Sequence, residues 1–369
     1  MMVAVLGNGQ LGKMLQQAGQ RIGVDVQMLD VLSDRYPGND TIVTVEREHW
    51  PVNPYTDALQ RHPNWLNHEA LSNLSNRIRQ KTLLDELGVA TAPWHVPGSR
   101  TTQPELHDLL GSDIFLKRAE GGYDGRGQKR LSHLTIEPLP EWATDAIAER
   151  AIHFDREVSI IGARNRQGQM CFYGLTENCH QNGVLMVSVH QTDRLAYLQE
   201  QAETMLSTVM TALQYVGVMA MELFQVGDQL MVNEIAPRVH NSGHWTQIGA
   251  SINQFEMHLR AVCDLPLPEP HQFGTSVMVN LLGMEWNPAW LVQGAAQFHW
   301  YGKLHKPGRK MGHVNFNHAD AKRIVPLLEQ LPLPTSYQPA IQWACDILDD
   351  SASRKNLFSL LPAIDRIFR

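Results

Sequence analysis

Two apolar runs, Val218 to Val226 and Leu230 to Ala236, flank Gly227-Asp228-Gln229, and turn residues between two strand-like runs predict a β-hairpin. Each run carries one glutamate in otherwise apolar company: Glu222 in Val218-Met219-Ala220-Met221-Glu222-Leu223, and Glu234 in Met231-Val232-Asn233-Glu234-Ile235-Ala236. A fold about Asp228 sets these glutamates directly opposite each other on one sheet face, with Cβ atoms about 4.5–5.5 Å apart. Opposed like charges are destabilising unless something positive lies between them. A hard dication meets that need, since Mg²⁺ takes one or two carboxylates and completes its octahedron with phosphate oxygens and water. The competing reading is a solvent-facing edge pair.

The second strand runs directly into Pro237-Arg238-Val239-His240-Asn241-Ser242-Gly243-His244-Trp245-Thr246, a donor-rich loop beside the expected metal. Arg238 suits bidentate capture of a phosphoryl or carboxylate group, and His240 suits proton transfer or orientation. Upstream, a strand over Asp113 to Lys117 leads into Arg118-Ala119-Glu120-Gly121-Gly122-Tyr123-Asp124-Gly125-Arg126-Gly127-Gln128. Its glycines permit positive φ and close backbone approach, so the segment reads as a flap over a polyphosphate, with Lys117 to neutralise phosphate and Asp124 as a positioned carboxylate. No G-K-[ST] follows and the lysine precedes the glycines, so it is neither a P-loop nor a kinase loop. A plain surface hairpin is the alternative.

The chain opens with Met2-Val3-Ala4-Val5-Leu6 and Gly7-Asn8-Gly9-Gln10-Leu11-Gly12, then Leu11, Met14, Leu15, Ala18 and Ile22 at helical spacing. With strands over Val24 to Asp30 and Thr41 to Val45, this predicts an α/β layer with a parallel sheet. The glycine loop aims N–H groups at an anion, and a substrate anion is expected there. A tight packing turn, or a dinucleotide site with Asp30 on the ribose, are the alternatives.

Ser75 is the expected cap of a helix through Leu83, Leu84 and Leu87 that Gly88 stops. Pro93, Pro97 and Gly98, and later Leu265-Pro266-Leu267-Pro268-Glu269-Pro270, mark boundaries. The units are then 1–92, 93–268 (a lid over 93–180 and a carboxylate lobe over 181–268) and 269–369. Within them we expect a strand pair around Glu149 and Glu157 to Ile161, and a helix with Ala202, Met205, Leu206, Val209 and Leu213 on its core face. A β-rich stretch over His299 to Phe316 and an amphipathic helix near Ala321 to Leu331 follow. Lys303, His305, Lys306, Arg309, Lys310 and His313 bunch around Pro307-Gly308, either as a solvated turn or as a phosphate loop.

Composition closes off other classes. The 369 residues carry 31 Lys+Arg and 38 Asp+Glu, a net charge of −7, which argues against nucleic acid or an anionic membrane as partner. No uncharged apolar run reaches the roughly 18–20 residues of a membrane span. Cys171, Cys179, Cys263 and Cys345 match no zinc spacing and read as core thiols. The Met-Met-Val-Ala-Val-Leu start is too short for a signal peptide, so a cytoplasmic protein is expected. The number of histidines, 17, is high.

Five motifs in order carry a family likeness: Gly7 to Gly12, Thr44-Val45-Glu46-Arg47-Glu48, Gly121 to Gly127, Asn233 to His244, and Pro307-Gly308-Arg309-Lys310-Met311-Gly312-His313. On these the chain resembles the ATP-grasp superfamily and, within it, the 5-(carboxyamino)imidazole ribonucleotide synthases of purine biosynthesis. The resemblance implies a mixed α/β and α+β architecture. An ATP-grasp fold would join an N-terminal Rossmann-like (preATP-grasp) domain and a small β-rich C-terminal domain, as a homodimer. It implies that ATP, with Mg²⁺ or Mn²⁺, bicarbonate and 5-aminoimidazole ribonucleotide give the carbamate, ADP and phosphate through carboxyphosphate. Another ATP-grasp ligase on a related ribonucleotide, or an NAD(P)-dependent oxidoreductase, are the alternatives.

Carried over by position, Arg77 and Lys117 would bind ATP phosphates, and Gly122, Tyr123, Asp124, Gly125, Arg126, Gly127 and Gln128 would cover them. Glu149, Arg150, Ala151 and Ile152 would hold adenine and Glu157 the ribose, with His180 and Asn233 near the phosphates. Glu222 and Glu234 would hold the metal. Glu46, Tyr123, Arg238, His240, Asn241, Lys303 and Arg309 would surround the ribonucleotide. Asp124, Arg238, His240 and Lys303 would be catalytic, Asp124 or His240 taking the amine proton. The chain departs from the family in Lys306, where Arg is common, and in Glu149-Arg150-Ala151-Ile152.

Overall fold

The computed structural model describes residues 1–33, 35–121, 127–191, 193–292 and 294–349. Gly122, Tyr123, Asp124, Gly125 and Arg126 of the expected flap lie outside the described residues, as does the segment from Ser353.

Strands β1 (Met2–Leu6), β2 (Asp25–Leu29) and β3 (Ile42–Val45) form a parallel sheet ordered β2-β1-β3, as expected. Val3 and Val5 meet Met14, Leu15 and Ala18 of α1 (Gln10–Ile22), whereas Ala4 and Leu6 meet Leu59 of α2 (Pro54–Gln60) and Leu71 of α3 (His68–Leu74). Burial on both faces is why β1 is an unbroken apolar run rather than an alternating one. The next helix, α4 (Arg77–Glu86), is capped by Asn76, not Ser75: Asn76 Oδ1 accepts from the N–H groups of Ile78 and Arg79 at 3.0 and 3.2 Å. Ser75 closes α3 instead, its N–H donating to Leu71 O at 3.0 Å. Two helices abut here, so one residue must end the first and the next, extended in backbone, must open the second.

A four-stranded antiparallel sheet holds β4 (Trp94–His95), β5 (Asp113–Arg118), β6 (Gln128–Ser132) and β7 (Ala146–Arg150) in the order β4-β7-β5-β6. Leu106 and Leu110 of α5 (Gln103–Leu110) cover it, packing with Ile114, Leu116, Leu131 and Ala148. Among the described residues nine further strands form one antiparallel sheet: β8 (Arg156–Arg164), β9 (Met170–Phe172), β10 (Thr176–Gln181), β11 (Val184–Gln191), β12 (Gly217–Val226), β13 (Gln229–Ala236), β14 (Thr275–Leu282), β15 (Ala296–Trp300) and β16 (Lys310–His318). Their order is β13-β12-β8-β10-β11-β14-β16-β15, with β9 on β8.

Glu149 and Glu157 therefore do not lie on paired strands. Glu149 pairs with Trp94 and Phe115 in the smaller sheet, and Glu157 with Phe224 and Asn178 in the larger, so the chain changes sheets between them. The C-terminal strands continue the large sheet through the β11–β14 ladder, across the proline-rich boundary. The helix expected over Ala321 to Leu331 is a 3₁₀ turn, Ala321–Arg323, followed by α9 (Val325–Glu329) once α6 (Ala196–Ala212), α7 (Thr246–Gly249) and α8 (Gln254–Val262) have passed. Pro326 lacks an N–H and fits only a first turn, so a new helix must start there. The last described element is α10 (Gln338–Asp349).

Ala202, Met205, Leu206 and Val209 of α6, with Leu213 just after it, lie in one core with β8, β12 and β13, as expected. Cys171 and Cys263 belong to the core shared by α1 and α8, Cys345 to the C-terminal core, and Cys179 packs against the latter.

Candidate active site

Along β12 the side chains alternate between two environments. Met219, Met221 and Leu223 enter the core with α6; Val218 and Ala220 on the other face join the core of α1 and α8. Past Ala220 that second face turns polar. Glu222 sits there beside Ser159 of β8 and opposite Glu234 of β13.

Burial pushes the Glu222 carboxyl up to about 7; His180 opposes this, and Glu234 and Glu157 reinforce it. The two side chains offer hard oxygen donors from adjacent strands, so Glu222 and Glu234 fit a dication such as Mg²⁺. His180 Nδ1 lies 2.7 Å from Glu157 Oε2. Burial disfavours its charged form, but Glu157 and Glu222 outweigh this and lift it to about 9.

Arg77, first in α4, places Nη2 4.0 Å from Glu234 Oε2 and donates from Nη1 to Arg118 O at 3.0 Å. One turn later Lys81 meets the Glu149 carboxylate, which Lys117 of β5 also holds. Burial alone would raise Glu149, but the two ammonium groups hold its carboxyl below the usual range. Arg150 Nε donates to Leu110 O at 2.7 Å and Ala151 N to Asp113 O at 2.9 Å. The Glu149 carboxylate thus serves the lysines. Gln128 stands opposite Lys117 in the β5–β6 ladder, and Gly127 O accepts from Arg118 N at 2.9 Å.

In the loop after β13, Arg238 Nε lies 2.9 Å from Glu48 Oε1. Gln254, at the start of α8, clamps His240 by its main chain: Oε1 accepts from His240 N at 2.9 Å and Nε2 donates to His240 O at 2.7 Å. His240 Nδ1 lies 2.9 Å from Ser242 Oγ, and Nε2 points toward Glu222 Oε1 at 3.7 Å. Burial, with Arg238 and Lys310 adding to it, holds this imidazole well below its ordinary range, so it is neutral at pH 7. Asn241 is 9% exposed, and neither of its amide atoms has a hydrogen-bond partner among the described residues. A buried amide left unpaired is costly unless a ligand completes it.

The C-terminal cluster divides. Lys303 Nζ donates to Lys310 O at 3.2 Å and stands 5.2 Å from the Tyr301 ring centre. Burial, then Arg309 and Lys310, lower its ammonium to about 8. Arg309 is exposed, its Nη1 donating to Leu304 O at 3.2 Å. His313 does not belong with them. It is buried on β16, its ring centroid 4.4 Å from that of His299 and 4.6 Å from that of His244. The basic run ends where β16 enters the sheet, so neighbours in sequence are not neighbours in space.

The first glycine loop holds an anion of the chain itself. The Glu46 carboxylate accepts from the N–H of Gly9 and, at 2.5 Å, from that of Gly12. Asp30 Oδ2 accepts from Asn8 Nδ2 at 2.6 Å. The donors expected to meet a substrate anion, or a dinucleotide pyrophosphate, are engaged by Glu46.

The ATP-grasp domain family matches residues 82–255, and the phosphoribosylaminoimidazole carboxylase C-terminal domain family matches residues 276–325. N5-carboxyaminoimidazole ribonucleotide synthase of Escherichia coli is 47% identical over 347 residues, covering 93% of this chain and 98% of that protein. The chain belongs to this synthase family. Among solved synthases, that of Thermus thermophilus superposes with a TM-score of 0.77 at 36% identity, over 89% of this chain and 97% of that one. The Aspergillus clavatus synthase in complex with ADP and 5-aminoimidazole ribonucleotide gives 0.72 at 25% identity, over 94% and 98%. The synthases are ATP-grasp ligases, so this chain is a carbon–nitrogen ligase with an ATP-grasp fold.

Several residues that shape this synthase site were not anticipated: Glu48 on Arg238, Lys81 on Glu149, Gln254 on His240, and Lys310, whose charge acts on Glu222, His180 and His240. Lys310 stood in the basic cluster and Glu48 in a motif, neither with this role, and Lys81 left a local signal of its own, four residues after Arg77 and hence on the same helix face.

Proposed function

We propose that this ligase carboxylates the exocyclic amine of 5-aminoimidazole ribonucleotide with bicarbonate, converting ATP to ADP and phosphate, in de novo purine biosynthesis. The observation that carries the reading is the convergence of Glu222, Glu234, His180, His240 and Arg77 on one polar sheet face, with the unpaired amide of Asn241 in the adjoining loop. The same reading takes the enzyme as cytoplasmic and homodimeric, on the family likeness. Among the described residues no helix is long and apolar enough to cross a membrane.

Arg77 and Lys117 bind the nucleotide phosphates, with His180 and Asn233 beside them; the segment from Glu149 to Ile152 borders the adenine, and Glu157 the ribose. Glu222 and Glu234 would hold Mg²⁺, which would supply charge neutralisation to the polyphosphate. Arg77 and Lys117 stabilise the charge on the γ-phosphoryl as a bicarbonate oxygen attacks phosphorus and ADP leaves, forming carboxyphosphate. The substrate amine then bonds to the carboxyl carbon and phosphate departs. The amine is conjugated with the imidazole ring and weakly nucleophilic, so close, dry positioning has to provide the rate. Neutral His240 accepts the amine proton at Nε2, and Glu222, 3.7 Å away, stabilises the resulting imidazolium. Asp124, the other candidate base, lies outside the described residues. Glu46, Arg238, Asn241, Lys303 and Arg309, with Tyr123, surround the ribonucleotide. Lys303, its ammonium already lowered to about 8, faces the cost of burial until an anion arrives.

Phosphate and ADP release measured with each substrate omitted in turn tests the function. Turnover should require both bicarbonate and 5-aminoimidazole ribonucleotide. ATP hydrolysis indifferent to both would refute the reading.

A further inference from the structure

Lys81 takes no part in the reaction outlined above. It is 3% exposed, its Nζ meets both the Glu149 carboxylate and Thr91 Oγ1, and Thr91 Oγ1 donates in turn to Val232 O at 2.8 Å. One buried ammonium thereby ties α4 to β7 and, through Thr91, to the strand that carries Glu234. Glu149 is 4% exposed, so its carboxylate cannot be left to water. Of its two cationic partners, Lys117 is the more open, with 17% of its side chain exposed against 3% for Lys81. Two ammonium groups share the one Glu149 carboxylate, so an arriving phosphate can take the more open of them while the other stays in place.

We propose that Lys81 is a positioning residue for nucleotide binding: it keeps Glu149 neutralised so that Lys117 can turn from that carboxylate to the nucleotide phosphates. The inference rests on the assignment of Lys117 to those phosphates. Without Lys81, every nucleotide bound through Lys117 would strand a buried carboxylate, and breaking a buried pair by removing one partner is strongly destabilising. Lys117 would then stay on Glu149.

Calorimetric titration with Mg-ADP, alongside steady-state kinetics, tests this. Lys81→Met should weaken Mg-ADP binding by about tenfold or more and raise KM for ATP. It should leave kcat at saturating ATP and KM for 5-aminoimidazole ribonucleotide within about threefold, a split that general loosening of the fold would not produce. The double variant Lys81→Met/Glu149→Gln should bind Mg-ADP within about threefold of Glu149→Gln alone, because no charge is then stranded. Wild-type affinity in Lys81→Met overturns the proposal, as does a double variant weakened by the same factor as the single one. If Lys81→Met does not fold, the comparison of the double variant with Glu149→Gln decides. Lys117→Met separates the two levels: unchanged Mg-ADP affinity there would overturn the phosphate assignment itself, whereas a loss there with none in Lys81→Met would overturn only the role of Lys81.

Discussion

Glu222 faces Glu234 only because Asn233 is an extra residue in β13. From the two-residue turn Gly227-Asp228 the ladder pairs Val226 with Gln229, Gln225 with Leu230, Phe224 with Met231 and Leu223 with Val232, and the next pair is Glu222 with Glu234. An unbroken ladder would set Glu234 opposite Met221, on the face that packs with α6. The β-bulge moves it to the polar face and re-aims it at the site. A fold centred on Asp228 reaches the same pairing through a wrong turn, because Gln229 is already strand and the bulge supplies the missing step.

The carboxylate pair should behave as a metal site that lowers stability when empty. Glu222→Gln removes a buried like charge, so thermal unfolding without nucleotide should shift upward, by up to about 1 kcal/mol of stability. The same change, or Glu234→Gln, should cost at least about a hundredfold in turnover. Melting curves with and without Mg-ADP, beside ADP-release assays, check both effects. Near-wild-type turnover in either variant would contradict the metal role.

Glu46 should prove to be a structural anchor of the first helix. Glu46→Ala leaves the N–H groups of Gly9 and Gly12 without their acceptor, at a cost of about 1–2 kcal/mol in urea unfolding. Gly7→Ala should be worse. The φ of Gly7 is 122° and a Cβ there would overlap Cγ of Glu46, so the added methyl both strains the backbone and displaces the carboxylate. An unchanged unfolding midpoint in Glu46→Ala would refute the anchor.

Glu48 should set the aim of Arg238. Removing its charge with Glu48→Gln releases the guanidinium held at 2.9 Å. KM for 5-aminoimidazole ribonucleotide should then rise by about tenfold, while Mg-ADP affinity stays near wild type. A rise in the ATP KM instead would place Arg238 with the nucleotide.

Stability should fall steeply on the acid side. Burial lowers His190 and His258 from 6.5 to about 4, and His299 likewise. Between these values the unfolded chain binds protons that the folded chain refuses, so stability is lost as pH falls from about 6.5 to about 4, by roughly 3 kcal/mol for each fully buried imidazole. His180 acts in the opposite sense. Its folded value of about 9 contributes stability below 6.5 that is lost as pH rises through 9, and Glu222, raised from 4.5 to about 7, likewise loses stability as pH rises between those values, offsetting about one of the buried imidazoles. Unfolding free energies from urea titrations at pH 5, 7 and 9 should therefore peak near neutrality. A flat profile between pH 5 and 7 would contradict the buried neutral state.

Much of the architecture was legible because it rests on local periodicity. The run from Met2 to Leu6 with its helix, the core face of α6 and the two strands of the carboxylate hairpin all carry their pattern within about ten to twenty residues. The mistaken expectations share a cause. Ser75 and Asn76 are both good caps, and only the meeting of two helices chooses between them; Glu149 and Glu157 look like neighbours until each strand finds its partners in a different sheet. His313 reads as part of a basic run, yet alternation and burial on β16 remove it from the surface.

The sequence alone singled out the groups proposed for the chemistry: two isolated carboxylates in apolar strands, a donor-rich loop behind one of them, lysine before glycines, and acidity overall with few basic residues to gather around phosphate. Tertiary structure alone decided how they are poised. Glu46 fills the glycine loop, Lys81 shares Glu149 with Lys117, Glu48 holds Arg238, and Asn233 turns Glu234 to the site. Part of the high histidine count is also explained only in three dimensions, by imidazoles held neutral in the interior and by His180 held charged. Pairings of this kind join residues tens to hundreds of positions apart, and burial decides their charge. Neither distance nor desolvation is written in a local pattern, since both exist only once the sheets have closed on one another.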